Sequence, residues 1–352
     1  MATVRAMAAM ISLGVAACAA DAGDEGPGSL SDATEIEDIE GANEDADDDV
    51  VADSAFDVDP DVQMSALAKS PDNDAVTPAA TQDQLIKTFA PHLHLHADDP
   101  YRPSSVDWYL ARVTMRYNHK NCPDHEIYPV GKVTQQKLVA ATHEDNGSFC
   151  RHDGGKKVAA TTHEGFFLEI VNEATRKGSP RSDWKSYAVW RPQASGLVNI
   201  EYWIFYPYND GFSIFNHESD WEHVRVTIDP KANGGQGKAT EVKLSAHKGG
   251  TIVKANDPKL SWDGTHPVAY VAKGTHANYL APGTYAIEGT HGIAKDTTKA
   301  AAAAAVWKTE NAVVNIGTRA KPKNGQVFVK FWGRWGEIND IPETNGITRR
   351  FP

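Results

Sequence analysis

The stretch Tyr202–Asp229, YWIFYPYNDGFSIFNHESDWEHVRVTID, decides how the chain folds. At its end Val224, Val226 and Ile228 alternate with Arg225 and Thr227, the period of two of a strand with one buried face. Extending that alternation backwards places Asp220 and Glu222 on the aliphatic face and sends Trp221 to the opposite face, where it packs. Unpaired buried carboxylates are very costly. Basic side chains at the rim of the sheet would neutralise them; so would a hard cation, with His217 as a nearby third ligand and Asp210 just upstream. A zincin helix is excluded, because HExxH sets its histidines four apart on a helix, whereas His217 and His223 are six apart and lead into a strand.

Outward from this stretch, Phe166–Val171, Ser186–Trp190, Asn199–Tyr206, Glu241–His247, Pro267–Lys273, Thr284–Glu288 and Val327–Trp332 read as further strands. Gln82–Phe89 reads as a short helix, Ser104–Tyr117 as helix or strand, and the alanine run of Lys299–Val306 as a helix capped by Asp296-Thr297-Thr298. Short strands, regular turns and few amphipathic helices predict a mainly β protein: an antiparallel β-sandwich, jelly-roll-like, with long loops and one or two short helices. No internal repeat supports a propeller. Ala90–His96, APHLHLH, alternates strictly, so His92, His94 and His96 share one face and Leu93 and Leu95 the other. The three histidines would line a metal or anion site, or face solvent.

The chain divides by composition into residues 1–18, 19–80 and 81–352. Met1–Cys18 carries one positive side chain, Arg5, and an apolar run from Ala6 to Ala17. It reads as a signal peptide, too short to span a membrane. Val15-Ala16-Ala17-Cys18 resembles a bacterial lipobox with Cys18 acylated; ordinary cleavage nearby, giving a secreted protein, is the competing reading. The expectation is an exported lipoprotein of the bacterial cell envelope, at the outer membrane or cell surface, held to the membrane by its N-terminal lipid. Ala19–Ala80 sets nineteen acidic residues against Lys69 alone, the composition of a solvated, disordered linker. Its charge of −18 exceeds the net charge of −12, so the remainder is mildly basic. No block of Lys or Arg reads as a nucleic-acid surface. Cys122 and Cys150 remain, and in an oxidising compartment they are expected to form a disulfide.

Six ordered blocks carry a family resemblance: FAPHLHLHADDPYRPSSVDWYL, YWIFYPYNDG, HESDWEHVRVTI, SAHKGG, GTHANY and FWGRWGE. Together they resemble the vacuolar protein sorting-associated protein 62 family over roughly residues 89–352. At the level of one motif, Asn216–Glu222 is similar to the GHRHDWE hallmark of the necrosis- and ethylene-inducing protein-like toxins. In that family the His, Asp and Glu help hold a divalent cation in a β-sandwich that binds sphingolipid head groups. The resemblance nominates His217, Asp220 and Glu222 as ligands, with Asp210 near a fourth acidic position. Asn216 and Ser219 depart from the hallmark. The larger family's blocks add His247, His276 with Asn278 and Tyr279, and His291, histidines at strand ends beside glycines, where the rim of a sandwich would form a cleft.

Two function classes follow. The first is a cation-dependent recognition module, in which Ca²⁺ or Mg²⁺, favoured over Zn²⁺ or Mn²⁺ by the oxygen-rich ligand set, helps bind a lipid head group or glycan, toxin-like. His247, His276, Asn278, Tyr279, His291 and Arg225 would contact that ligand. The alternative is a metal-assisted hydrolase of phosphoesters or related substrates, with His223 or His247 as general base and His276 or Arg225 steadying developing charge. The absence of GxSxG and of GxxxxGK[ST] removes the serine-hydrolase and P-loop readings.

Overall fold

The computed structural model describes residues 79–119, 122–144, 157–159, 165–211, 215–247, 249–287, 290, 292–338, 347, 349 and 351. Cys18, the acidic stretch up to residue 78, Cys150 and His291 lie outside the described residues, so the lipidation, linker and disulfide expectations do too; Cys122 opens the strand Cys122–Tyr128. Among the described residues no helix is long and apolar enough to cross a membrane.

The protein is mainly β, built as a sandwich. Its centre is a six-stranded sheet in the order Gly249–Lys254, Lys238–Ala246, His217–Asp229, Val198–Asn209, Ser186–Pro192 and Val313–Asn315. All neighbours are antiparallel except the last pair. The register Tyr202↔Val224, Ile204↔Glu222 and Tyr206↔Asp220 fixes which side chains share a face. On that face Tyr202, Ile204, Tyr206, Val224, Val226, Ile228, Val242 and Leu244 pack against Leu93, Leu95, Ala269, Val271 and Trp307. These last come from a second sheet in which His92–His94 runs parallel to His266–Val271 and antiparallel to Trp307–Lys308. The helix Gln82–Thr88 closes the same core. Thr81 and Gln84 cap it reciprocally, and the buried Tyr202 hydroxyl donates to the Ile86 carbonyl over 2.8 Å.

The opposite face of the central sheet is buried as well. Tyr187, Val189, Trp203, Phe205 and Trp221 pack there against Met115, Phe166, Leu168, Phe328, Phe331 and Trp335. A sheet covered on both faces explains why YWIFYPY is apolar without alternating. It also corrects the one-faced reading of the central strand: every residue from Glu218 to Val224 is buried.

Four local expectations change. Asp296-Thr297-Thr298 forms a strand, Lys295–Thr298, and not a helix cap, and the alanines supply only a 3₁₀ turn, Ala303–Ala305. Val327–Trp332 opens with a 3₁₀ turn, Val327–Lys330, because Phe328 and Val329 insert into the core from a loop. Ser104–Tyr117 is both alternatives in succession, a helix at Val106–Leu110 and then a strand, Val113–His119. Finally, His92 and His96 are buried and do not face solvent.

Candidate site at the rim of the central sheet

Ser219, in the middle of the central strand, has φ +62°. The left-handed residue breaks the alternation, and its neighbours leave in opposite directions. Glu218 turns to the Trp221 side, where its carboxylate accepts from the backbone N–H of Ile170 (3.0 Å) and Glu337 (3.2 Å) and lies 3.5 Å from Arg176. Asp220 and Glu222 stay on the aliphatic face. Of the five non-glycine residues with positive φ among the described residues, Ser219, His247 and His276 border this one region. Such strain persists where the surrounding structure over-determines it, and it gathers at functional sites.

Asp220 Oδ2 lies 2.9 Å from His276 Nδ1, and the His276 ring stacks on Tyr206 with centroids 3.7 Å apart. His276 is buried at the left-handed turn of Gly274-Thr275-His276, and its Nε2 has no hydrogen-bond partner; Asp99 Oδ2 is 3.7 Å away. Asp99 holds that turn in place by accepting from the Gly274 N–H at 2.9 Å. Beside Asp220, Glu222 accepts a short hydrogen bond from the Ser245 hydroxyl, whose oxygen also takes the His223 backbone N–H and lies 3.4 Å from Asn278 Nδ2. Burial, and then the negative charge of Asp220, push the Glu222 carboxyl up to about 8. The positive charges of His247 and Arg349 oppose that rise, and His276 is the group that meets Asp220.

A second histidine–carboxylate pair flanks the first. His247 Nε2 meets Asp296 Oδ2 at 2.7 Å, and Asp296 also accepts from Thr275 Oγ1 and the Tyr279 hydroxyl, each at 2.6 Å. Burial alone would lower the His247 pKa. The hydrogen bond and charge of Asp296, with Glu222 and Asp220 behind, raise it instead. Asp296 is lowered: its desolvation is outweighed by His247, Thr275 and Tyr279. Tyr279 stacks on Tyr285 at 3.9 Å.

Four nominated residues stand apart from this cluster. His217 turns its Nδ1 to the Ser219 carbonyl oxygen (2.7 Å), and Asp210 accepts from Asn216 (3.1 Å). Among the described residues no three of His217, Asp220, Glu222 and Asp210 bring ligand atoms within 4.8 Å of one another, so the expected four-ligand set is not preassembled. His223 packs on Trp203 at 4.3 Å on the opposite face, with its pKa held well below the usual value by burial and by Arg349, Lys243 and Arg225. Arg225 is committed to Glu241, 3.4 Å away on the neighbouring strand. Both therefore lie off the face that carries Asp220. Sequence reasoning missed Asp296, Ser245, Asp99 and Tyr206. Only Ser245 left a trace, since it precedes His247 by two; the other three reach the site through non-local pairing.

The family model described as vacuolar protein sorting-associated protein 62 matches residues 54–338. Two similar curated proteins are from Saccharomyces cerevisiae. Vacuolar protein sorting-associated protein TDA6 is 24% identical over 239 residues, covering 60% of this chain and 49% of that protein. Vacuolar protein sorting-associated protein 62 is 24% identical over 250 residues, with 61% and 49% covered. The chain thus spans about half the length of the curated relatives it matches. These yeast relatives point to a eukaryotic lineage and overturn the expected bacterial cell-envelope localisation. Among solved structures, the non-toxic HaNLP3 protein is similar at 12% identity and a TM-score of 0.36, covering 76% of this chain and 86% of that one. Necrosis and Ethylene inducing Protein 2, from the causal agent of cocoa's Witches Broom disease, gives 14% and 0.31, with 65% and 74% covered. NLPPya in complex with mannosamine gives 14% and 0.34, with 77% and 90% covered.

Proposed function

We propose that this chain, which belongs to the vacuolar protein sorting-associated protein 62 family, is a recognition module that binds a lipid head group or a glycan through a divalent cation at the sheet rim. One observation carries the reading. Asp220 and Glu222 are neighbouring buried acids, Asp220 met by His276 and Glu222 by the Ser245 hydroxyl, and Glu222 is raised to about 8 in spite of the opposing charges of His247 and Arg349. At neutral pH a proton fills the place a cation would take. The donor set is oxygen-rich, Asp220 and Glu222 supplying carboxylates, which suits Ca²⁺ or Mg²⁺ over softer ions. Two protein carboxylates leave most of a hard cation's coordination positions to water or to ligand hydroxyls and phosphates, and that is how a bound cation would select an oxygen-bearing ligand. His276, His247, Asn278 and Tyr279 stand around the pair as hydrogen-bonding groups, with the Tyr279–Tyr285 stack as an aromatic wall.

Recognition is preferred to hydrolysis because, of the two nominated bases, His223 packs on Trp203 on the far face and His247 gives its Nε2 to Asp296. His276 Nδ1 is engaged with Asp220. The test is retention of the full chain on immobilised glycans and on vesicles of defined head-group composition, each with Ca²⁺, Mg²⁺ or EDTA. Cation-dependent retention of wild type and its loss in Asp220→Ala support the reading. Retention that EDTA and Asp220→Ala both leave unchanged rejects it.

A further inference from the structure

We propose a second, chemically distinct metal site, made by His92, His266 and Glu310 and selective for Zn²⁺-class ions. One ligand atom from each of these residues lies within 4.8 Å of the other two, the only such trio of His, Cys, Asp or Glu among the described residues. They come from three separate segments. His92 stands on the strand His92–His94, His266 opens the adjacent parallel strand His266–Val271, and Glu310 sits in the turn Thr309–Asn311 directly after Trp307–Lys308, which pairs with His92–His94 from the other side.

The hydrogen bonds around the trio orient it as metal ligands are oriented. Metal-binding histidines usually give their second ring nitrogen to a carboxylate or backbone carbonyl, which fixes the tautomer. Both histidines here have that partner: His266 Nδ1 is 2.7 Å from the Ala90 carbonyl oxygen, and His92 Nδ1 is 3.0 Å from Asp263 Oδ2. The assignment leaves Nε2 of each ring as the ligand atom. His92 Nε2 already faces Glu310 Oε2 at 3.2 Å, close to the separation of about 3.3 Å between two atoms sharing a tetrahedral Zn²⁺. Lys308 holds Asp263 by an ion pair at 3.2 Å, which keeps that carboxylate as the support of His92. Two histidines and one glutamate are a ligand set that Zn²⁺ accepts, with a fourth position for water; hard Ca²⁺ and Mg²⁺ prefer all-oxygen sites.

The metal also resolves a hydrogen-bonding conflict. His92 is 2% exposed and lies between two carboxylates, yet a neutral imidazole has one N–H and cannot donate to both. A cation between Nε2 and Glu310 satisfies the second contact. The His92 and His266 rings are stacked, 4.3 Å apart and 11° from parallel, so they must splay for both lone pairs to converge. Binding would thus staple three chain segments at one end of the second sheet.

The full chain, free of any histidine tag and stripped of metal, is titrated with Co²⁺ and then Zn²⁺, following the visible Co²⁺ absorption. The expected result is a single bound Co²⁺ with the intense spectrum of low coordination number, displaced by Zn²⁺, unaffected by excess Ca²⁺ and retained in Asp220→Ala. His266→Gln and Glu310→Gln, both at partly exposed positions, should each weaken binding by roughly 100-fold or more, and Asp263→Asn, which acts only through His92, by roughly 10-fold. Circular dichroism checks that each variant is folded; if one is not, the other and Asp263→Asn decide. No Co²⁺ spectrum in wild type, or one that survives the folded ligand variants, overturns the proposal; so does its loss in Asp220→Ala.

Discussion

Replacing Glu222 by glutamine tests whether this buried acid waits for a positive charge. Its folded carboxyl is pushed from 4.5 up to about 8 by burial and by Asp220. Because the folded value lies above the unfolded one, the folded chain keeps a proton that the unfolded chain releases as pH rises. Stability without a cation should therefore fall between about pH 4.5 and 8 and flatten above. At 1.36 kcal/mol per pH unit the shift corresponds to roughly 5 kcal/mol, an upper figure because Asp220 shares the titration. Glutamine mimics the protonated acid, and its carbonyl can still accept from Ser245. In EDTA, Glu222→Gln should be less stable than or equal to wild type at pH 5 and more stable by several kcal/mol at pH 8.5. Adding Ca²⁺ or Mg²⁺ at pH 8.5 should restore wild type and leave the variant unmoved. Glu218, raised to about 7 chiefly by burial, contributes a trend of the same sign to both proteins and drops out of the difference. The assay is urea unfolding across the pH range. A wild-type-minus-variant difference that stays constant from pH 5 to 8.5 would refute the reasoning.

Asp296→Asn should lower the His247 titration midpoint followed by NMR, since Asp296 supplies the hydrogen bond and charge that outweigh burial. It should also remove stability that wild type holds at low pH and loses as pH rises through the folded His247 value. Gly274→Ala should cost about 2–3 kcal/mol in chemical unfolding, because φ is +81° and an added Cβ would meet the Asp210 carbonyl oxygen; the same change at the open Gly196 should cost less. Trp221→Ala should cost about 3–5 kcal/mol, because its ring packs among Tyr187, Phe205, Phe328, Trp335 and Phe351, while a comparable loss in Asp220→Ala would contradict its assignment to the ligand side.

Much of the fold was legible where the signal is local. The alternation of Val224, Val226 and Ile228 located the central strand, and carrying it back through Glu222 and Asp220 put both acids and Trp221 on the faces they occupy. It failed at Ser219, where a left-handed residue that no period reveals sends Glu218 to the far side. Burial of both sheet faces was hidden for another reason: the covering segments, around Leu93 and around Phe166, arrive from distant parts of the chain. The same non-locality concealed the site. Asp296 read as a helix cap, yet in a strand it reaches His247, 49 residues away. His92 read as one of three histidines on a face, yet its partners are Asp263 and Glu310. Hydrophobic period identifies elements; the register between them assembles the chemistry.

The most direct test of the central claim is the melting temperature of the full chain near pH 7 in EDTA, against the same chain with Ca²⁺ or Mg²⁺. Asp220→Ala runs beside it, and His266→Gln separates any effect of the second site. A cation that binds the folded state raises the melting temperature with concentration. The account predicts that rise for wild type and His266→Gln and its absence in Asp220→Ala. A melting temperature that neither ion moves, or that both move equally in Asp220→Ala, would contradict it.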